Sequence, residues 1–330
     1  MRAKYIYLTV LFLPFIVYAS IFSSDSIVHP EVDQNGMVVS QHYLASSVGA
    51  QILEDGGNAY DASIAVAFAL AVVLPRAGNI GGGGFMVMYD EKTDKSYSID
   101  YREKAPALAS KDMYLNDDGS VNNKRAREGI LSIGVPGTVY GMWEVHKKFG
   151  SLPWKKLLDP AIKLAEKGFL LSHYEANRFN AYKEFFEKNE AATKIFIKKD
   201  RKPWKQNDRF IQKDLAKTLK RISKYGRDGF YSGPIADLIV KEMKKGNGLI
   251  SIDDLKSYSS KYRKPIIGSY RGYKIVSMGP PSSGGALLIN MLNMMENYSE
   301  DSLQWNSSDY IHIMTEIQRR AYSDLSLIHI

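Results

Sequence analysis

The sequence of 330 residues contains no cysteine. That excludes disulfides, a lipidated N-terminal cysteine, a cysteine nucleophile and thiolate metal sites together. A Gly-Lys pair is also lacking, which rules out a Walker A phosphate loop. The glycine run NIGGGGF (Gly81–Gly84) precedes a strand instead of opening a helix, and it reads as a tight turn where backbone must approach backbone. There is no G-x-S-x-G elbow, and the six histidines are scattered without an H-E-x-x-H pair, so no metal site is expected. The loop GPPSSGG (Gly279–Gly285) is then better explained by prolines fixing a helix entry and a serine capping it than by a nucleophile.

One long apolar run is present, at the start. MRAKYIYLTVLFLPFIVYAS has a positive head at Arg2 and Lys4, an uncharged apolar middle from Tyr5 to Tyr18, and small residues at Val17 and Ala19. This is the pattern of a cleavable secretory signal over residues 1–19, leaving Ser20 as the new N-terminus. A membrane anchor fits less well, because a span needs about 20 apolar residues and this run is shorter and carries Pro14. With no second such run, the mature part is expected to be soluble, without stable membrane association, in a periplasmic or secreted location. The formal net charge of +8 is concentrated between Lys183 and Lys245, where acidic residues are interspersed. No RNA- or DNA-binding signature accompanies it, so a solvated helical face is expected and not a nucleic-acid partner.

After a polar spacer over residues 20–36, the periodicity predicts helices at Ser40–Glu54 and Ala59–Leu74. The second is apolar nearly all round, as a helix inside a layered domain would be, and Pro75 stops it. FMVMY (Phe85–Tyr89) and SYSIDY (Ser96–Tyr101) flank the polar turn DEKTDK and predict a β-hairpin. The segment GVPGTVYGMWEVHKKFG predicts a turn and a helix, and further helices are expected at Trp154–Lys167, Ser172–Glu190, Gln212–Lys224 and Ile235–Lys244. Two strands, Pro265–Tyr270 and Tyr273–Met278, bracket Arg271-Gly272, before helices at Leu287–Asn297 and about Asp309–Ser323. Strands clustered beside apolar helices indicate a layered domain rather than a regular βαβ wind, and no repeat or linker divides the chain.

The candidate binding residue is Arg102, in Asp100-Tyr101-Arg102-Glu103 at the close of the second hairpin strand. Strand alternation puts Asp100 and Arg102 on one face and Tyr101 and Glu103 on the other. An arginine at a strand end can present its planar fork to a ligand carboxylate in two parallel hydrogen bonds. An intramolecular ion pair is the competing explanation, and the residues alone favour it.

Taken in order, these segments resemble the γ-glutamyltransferase (γ-glutamyltranspeptidase) family of bacterial type. The resemblance runs from VVSQHYLASSVGAQILEDGGNAYDASIAVAFALAVVLP through GGGGFMVMYD, IDYREKAPALASKDMYL and GVPGTVYGMWEVHKKFG. It continues in LAKTLKRISKYGRDGFYSGPIADLIV, GLISIDDLKSY, YRGYKIVSMGPPSSGG and EIQRRAYSD, and so covers residues 37–324. DYRE before AP, and PPSSGG after YRGY, are its specific parts. Gly279 stands where the family usually has a third proline, and Leu325–Ile330 do not match the pattern.

The resemblance implies an α/β layered (αββα) N-terminal nucleophile hydrolase fold, incomplete without a small subunit released from the same precursor. It implies an enzyme that cleaves the γ-glutamyl amide of glutathione and related compounds and passes the acyl group to amino acids, peptides or water. The nucleophilic threonine would lie beyond residue 330, so no catalytic residue is expected in this chain, and no cofactor. The family's substrate-carboxylate clamp maps onto Arg102, with Glu103 as a partner that orients it. Two alternatives stay open: a glutaryl-type β-lactam acylase of the same family, and an inactive fragment or non-catalytic binding protein.

Overall fold

The computed structural model describes residues 32–299 and 303–328. The expected signal segment, and the spacer up to residue 31, lie outside the described residues. The chain divides into two compact units, Met1–Met37 and Val38–Ile330. In the first, the Asp33 carboxylate accepts the Asn35 N–H at 2.6 Å. Among the described residues, every helix and strand belongs to the second.

Within it, α1 (Tyr43–Glu54) and α2 (Ala59–Val73) pack against each other at the centre. A capping box starts α2: the Asn58 side chain accepts from Asp61 N–H, and the Asp61 side chain accepts from Asn58 N–H. Ile64, Ala65, Phe68, Ala69, Val72 and Val73 of α2 are all fully buried. At roughly 1.5–3 kcal/mol for each large side chain removed from water, this helix anchors the core. The Asp61 carboxylate is itself fully buried, and it accepts the backbone N–H groups of Ser151 and Leu152 at 3.1–3.2 Å. That ties the start of α2 to the link between later helices.

The predicted hairpin forms as β1 (Phe85–Asp90) and β2 (Lys95–Asp100), paired antiparallel with Phe85 opposite Asp100. A short α3 (Asn123–Arg127) precedes α4 (Thr138–Phe149) and α5 (Trp154–Lys167), the latter as predicted. The residues expected to form one helix over Ser172–Glu190 instead break up. β3 (Phe169–Leu170) is followed by α6 (His173–Ala181), α7 (Lys183–Glu187) and α8 (Glu190–Phe196), and then β4 (Arg209–Phe210) pairs back on β3. The reason is aromatic packing: Phe179, Phe186, Phe196, Trp204 and Phe210 meet at ring separations of 4.6–6.4 Å. Closing that cluster requires the chain to turn twice, and Asn189 caps α8 by accepting from Ala192 N–H.

α9 (Lys213–Tyr225) lies along α5, with Leu219 and Ile222 fully buried, and Trp154 Nε1 donates to Ile222 O at 2.9 Å. α10 (Asp228–Tyr231), α11 (Pro234–Lys245) and α12 (Ile252–Ser257) lead to β5 (Lys261–Arg263), which joins the sheet in the order β1-β2-β5. β5 is three residues of Lys, Tyr and Arg, too short and too polar to register as a strand pattern. β6 (Ile266–Tyr270) and β7 (Tyr273–Ser277) form a second hairpin about Arg271 and Gly272, which take φ values of 48° and 82°. α13 (Gly284–Met295) packs on this hairpin, and α14 (Ser308–Ile328) packs on α13. Helices laid against small antiparallel sheets give a layered α/β body.

Candidate functional site

Three segments that the sequence singled out separately converge on the end of β2. The ladder continues one step past the strand, with Gly84 and Tyr101 exchanging both backbone hydrogen bonds at 3.0 and 3.3 Å. Gly83 lies so close that a Cβ there would stand 2.8 Å from the Arg102 Cα and 2.5 Å from the Tyr101 carbonyl. The GVPG turn closes in from the other side. Gly137 N–H and Thr138 N–H both donate to Gly82 O, at 2.7 and 3.0 Å, and Lys104 and Val135 exchange backbone bonds at 2.8 and 3.2 Å. A Cβ on Gly137 would overlap the Tyr101 carbonyl at 1.9 Å and the Tyr258 hydroxyl at 2.1 Å. Backbone contact therefore explains Gly83 and Gly137, whereas Gly82 and Gly84 face the side chains of Asn79 and Tyr101, and Gly81 meets nothing nearer than 4.0 Å.

Arg102 itself is exposed, while Tyr101 and Tyr258 beside its backbone are not. Its N–H donates to Asp100 Oδ1 at 3.0 Å, and its carbonyl accepts the Tyr258 hydroxyl at 2.8 Å. Tyr258 is 2% exposed and stacks on Tyr231 at 5.7 Å, whose hydroxyl in turn donates to Pro136 O at 2.7 Å. Burial drives the Tyr258 and Tyr231 phenols well above the usual tyrosine range, and the nearby Asp100 and Glu103 charges add to the rise at Tyr258. Burial alone pushes Tyr101 up to about 12. All three hydroxyls are neutral donors at any physiological pH.

The ion pair that the sequence left open at Arg102 is made by another residue. Arg263 of β5 places Nε and Nη2 each 2.8 Å from Asp100 Oδ2. Among the described residues Arg102 forms no ion pair; its guanidinium lies 5.9 Å from the Phe85 ring centroid. Glu103 makes no hydrogen bond or ion pair with Arg102 among those residues either, so the orienting role does not fall to it in this structure. Alternation stops at Asp100, where the strand ends, and side-chain hydrogen bonds take over the positioning. Sequence reasoning missed Tyr258 and Arg263, because neither lies near DYRE in the chain. The signal that could have found Tyr258 is a tyrosine closing a capped helix, SIDDLKSY.

The PPSSGG loop sits elsewhere, at the start of α13. The serine cap expected there is not formed: Ser283, at the helix start, makes no capping bond, and Ser282 Oγ accepts the Gly284 N–H at 3.3 Å instead. A cavity of about 620 Å³ between the β6–β7 hairpin, α13 and α14 is walled by Met291, Met295 and Met314 among others and does not include Arg102. No described helix is long and apolar enough to cross a membrane.

The layered body is that of the N-terminal nucleophile hydrolases. The structure of Helicobacter pylori γ-glutamyltranspeptidase matches it with a TM-score of 0.87 at 49% identity, over 90% of this chain and 85% of that one. The glutathione hydrolase proenzyme of Pseudomonas sp. strain A14 is 43% identical over 291 residues, 88% of this chain and 50% of that protein. The glutathione hydrolase proenzyme of Escherichia coli K12 is 42% identical over 302 residues, 92% of this chain and 52% of that protein. The chain thus spans about half the length of the curated relatives it matches. The γ-glutamyltranspeptidase family model matches residues 45–328. This chain belongs to the γ-glutamyltranspeptidase family.

Proposed function

We propose that this chain is the large-subunit part of an autoprocessed γ-glutamyl acyltransferase and hydrolase, and that Arg102 grips the α-carboxylate of the γ-glutamyl substrate. The observation that carries the reading is an exposed guanidinium, without an ion pair among the described residues, on a backbone held by side chains from both directions. A fork so placed can accept a carboxylate in two parallel charge-assisted bonds. Holding that end fixes where the γ-carbonyl lies, and correct placement of reacting groups supplies much of an enzyme's rate.

The chemistry itself belongs to a partner subunit from the same precursor. Its N-terminal threonine would attack the γ-carbonyl carbon through its hydroxyl oxygen, passing the proton to its own α-amine. The γ-amide C–N bond then breaks, the substrate's amine leaving with that proton and the acyl group staying on the threonine oxygen as an ester. Water or an acceptor amine takes the acyl group and the threonine hydroxyl is restored. Glutathione is the expected donor, and the names of the curated relatives support that choice. A glutaryl side chain also ends in a carboxylate, so Arg102 does not separate the two substrates, and comparing turnover of γ-glutamyl-p-nitroanilide with a glutaryl β-lactam does. Faster turnover of the lactam would replace this reading with the acylase one.

The same proposal places the enzyme outside the cytoplasm, on the strength of the leader-like residues 1–19. N-terminal sequencing of the exported protein is expected to begin at Ser20; finding Met1 retained would contradict cleavage.

A further inference from the structure

The residues from Asp254 to Arg263 run antiparallel beside residues 98–107 and grip them at five points. Ser98 Oγ donates to Arg263 O at 2.8 Å, and Arg263 holds Asp100. Tyr258 donates to Arg102 O, Lys104 Nζ donates to Ser259 O at 2.7 Å, and Ala107 N–H donates to Asp254 Oδ1 at 2.8 Å. Only the first two points fall within the β2–β5 pairing, which covers Ser98 to Asp100. Beyond it the contacts are made by side chains, and they continue past the arginine. Both backbone polar groups of Arg102 are therefore committed to this brace, one through Asp100 and one directly through Tyr258.

We propose that Tyr258 and Arg263 are positioning residues for substrate binding, setting the aim and the availability of the Arg102 fork; this rests on Arg102 being the carboxylate clamp. Tyr258 sets the aim. A long side chain points where its Cα–Cβ bond sends it, and two parallel hydrogen bonds to a carboxylate tolerate errors of only about 0.5 Å and 10–20°. The Tyr258 hydroxyl fixes the peptide plane following Arg102, and Gly137 lies against that hydroxyl with no room for a methyl group between them. Arg263 sets the availability. By satisfying Asp100 Oδ2 through two nitrogens it occupies the carboxylate whose other oxygen holds the Arg102 N–H, leaving the Arg102 guanidinium for the substrate.

The test uses the processed two-subunit enzyme that carries this chain, with Tyr258→Phe, which removes one oxygen and preserves the buried ring. Two probes are compared: γ-glutamyl-p-nitroanilide, and 4-aminobutyryl-p-nitroanilide, which is the same molecule without the α-carboxylate. The expected result is a roughly fivefold loss of kcat/KM on the first, carried by KM, and no change on the second. An equal loss on both probes, or no loss on either, would overturn the proposal. Arg102→Lys run alongside separates the clamp from the brace behind it. If it leaves KM on γ-glutamyl-p-nitroanilide unchanged, the clamp reading fails. If it raises KM while Tyr258→Phe does not, the clamp stands and the positioning role fails.

Discussion

Arg263 holds Asp100 through two nitrogens, each 2.8 Å from Oδ2, while Asp100 Oδ1 accepts the Arg102 N–H. One carboxylate thus links the arginine that is tied down to the arginine that is exposed. Replacing Arg263 by Gln is expected to free Asp100 to pair with Arg102 and raise KM for γ-glutamyl substrate by roughly fivefold. Adding Asp100→Asn removes the competing charge, and steady-state kinetics should then show KM falling back toward the parent value. A double variant worse than the single one would contradict this competition.

Gly137→Ala tests the close packing of the turn against the strand end. Its methyl group would meet the Tyr101 carbonyl and the Tyr258 hydroxyl far inside contact distance, so backbone must move. The expected cost is about 3 kcal/mol or more of stability, read as a large drop in Tm. A Tm within a degree of the parent would show that the turn is looser than described.

Asp61→Asn probes the buried carboxylate that joins the start of α2 to the α4–α5 link. Asp61 is fully buried and receives the backbone N–H groups of Asn58, Ser151 and Leu152. An amide turns one accepting oxygen into a donor facing other donors, for an expected loss of about 2–4 kcal/mol. Denaturant titration measures it; a loss below about 1 kcal/mol would mean that water or a shifted loop relieves the mismatch.

Glu175 gives a pH dependence. Burial by itself would raise its pKa, but hydrogen bonds from His42 and Ser172 outweigh burial and hold it below the ordinary glutamate value of about 4.3. Because the folded value is the lower one, the unfolded chain binds the proton first. The stabilisation is present in full above the ordinary value and is lost as pH falls through the folded one. Tm is therefore expected to decline as pH drops below about 4.3, and Glu175→Gln should flatten part of that decline. Equal slopes in the two proteins would remove Glu175 from the account.

The helical half of the fold was legible because burial writes a period into the sequence: α2 and α5 appear within one residue of where the apolar pattern and proline placed them. The failures share a cause. The segment predicted as one helix over Ser172–Glu190 obeys an aromatic cluster whose members lie as far away as Phe210, and local pattern carries no record of that. β5 is defined by what it pairs with, not by its three residues. At the site, DYRE and the glycines were visible as motifs. Their meeting was not, nor was the brace, since Tyr258 lies 156 residues from the carbonyl it holds. That the ion pair at Asp100 is made by Arg263 and not by Arg102 was likewise hidden, since no spacing argument connects Arg263 to Asp100.

The central claim is that Arg102 binds the substrate's α-carboxylate through its planar fork. The most direct measurement is KM for γ-glutamyl-p-nitroanilide in the processed enzyme carrying Arg102→Lys, which keeps the charge and loses the two-pronged geometry. The account predicts a rise of roughly tenfold or more with kcat much less affected. An unchanged KM would contradict it.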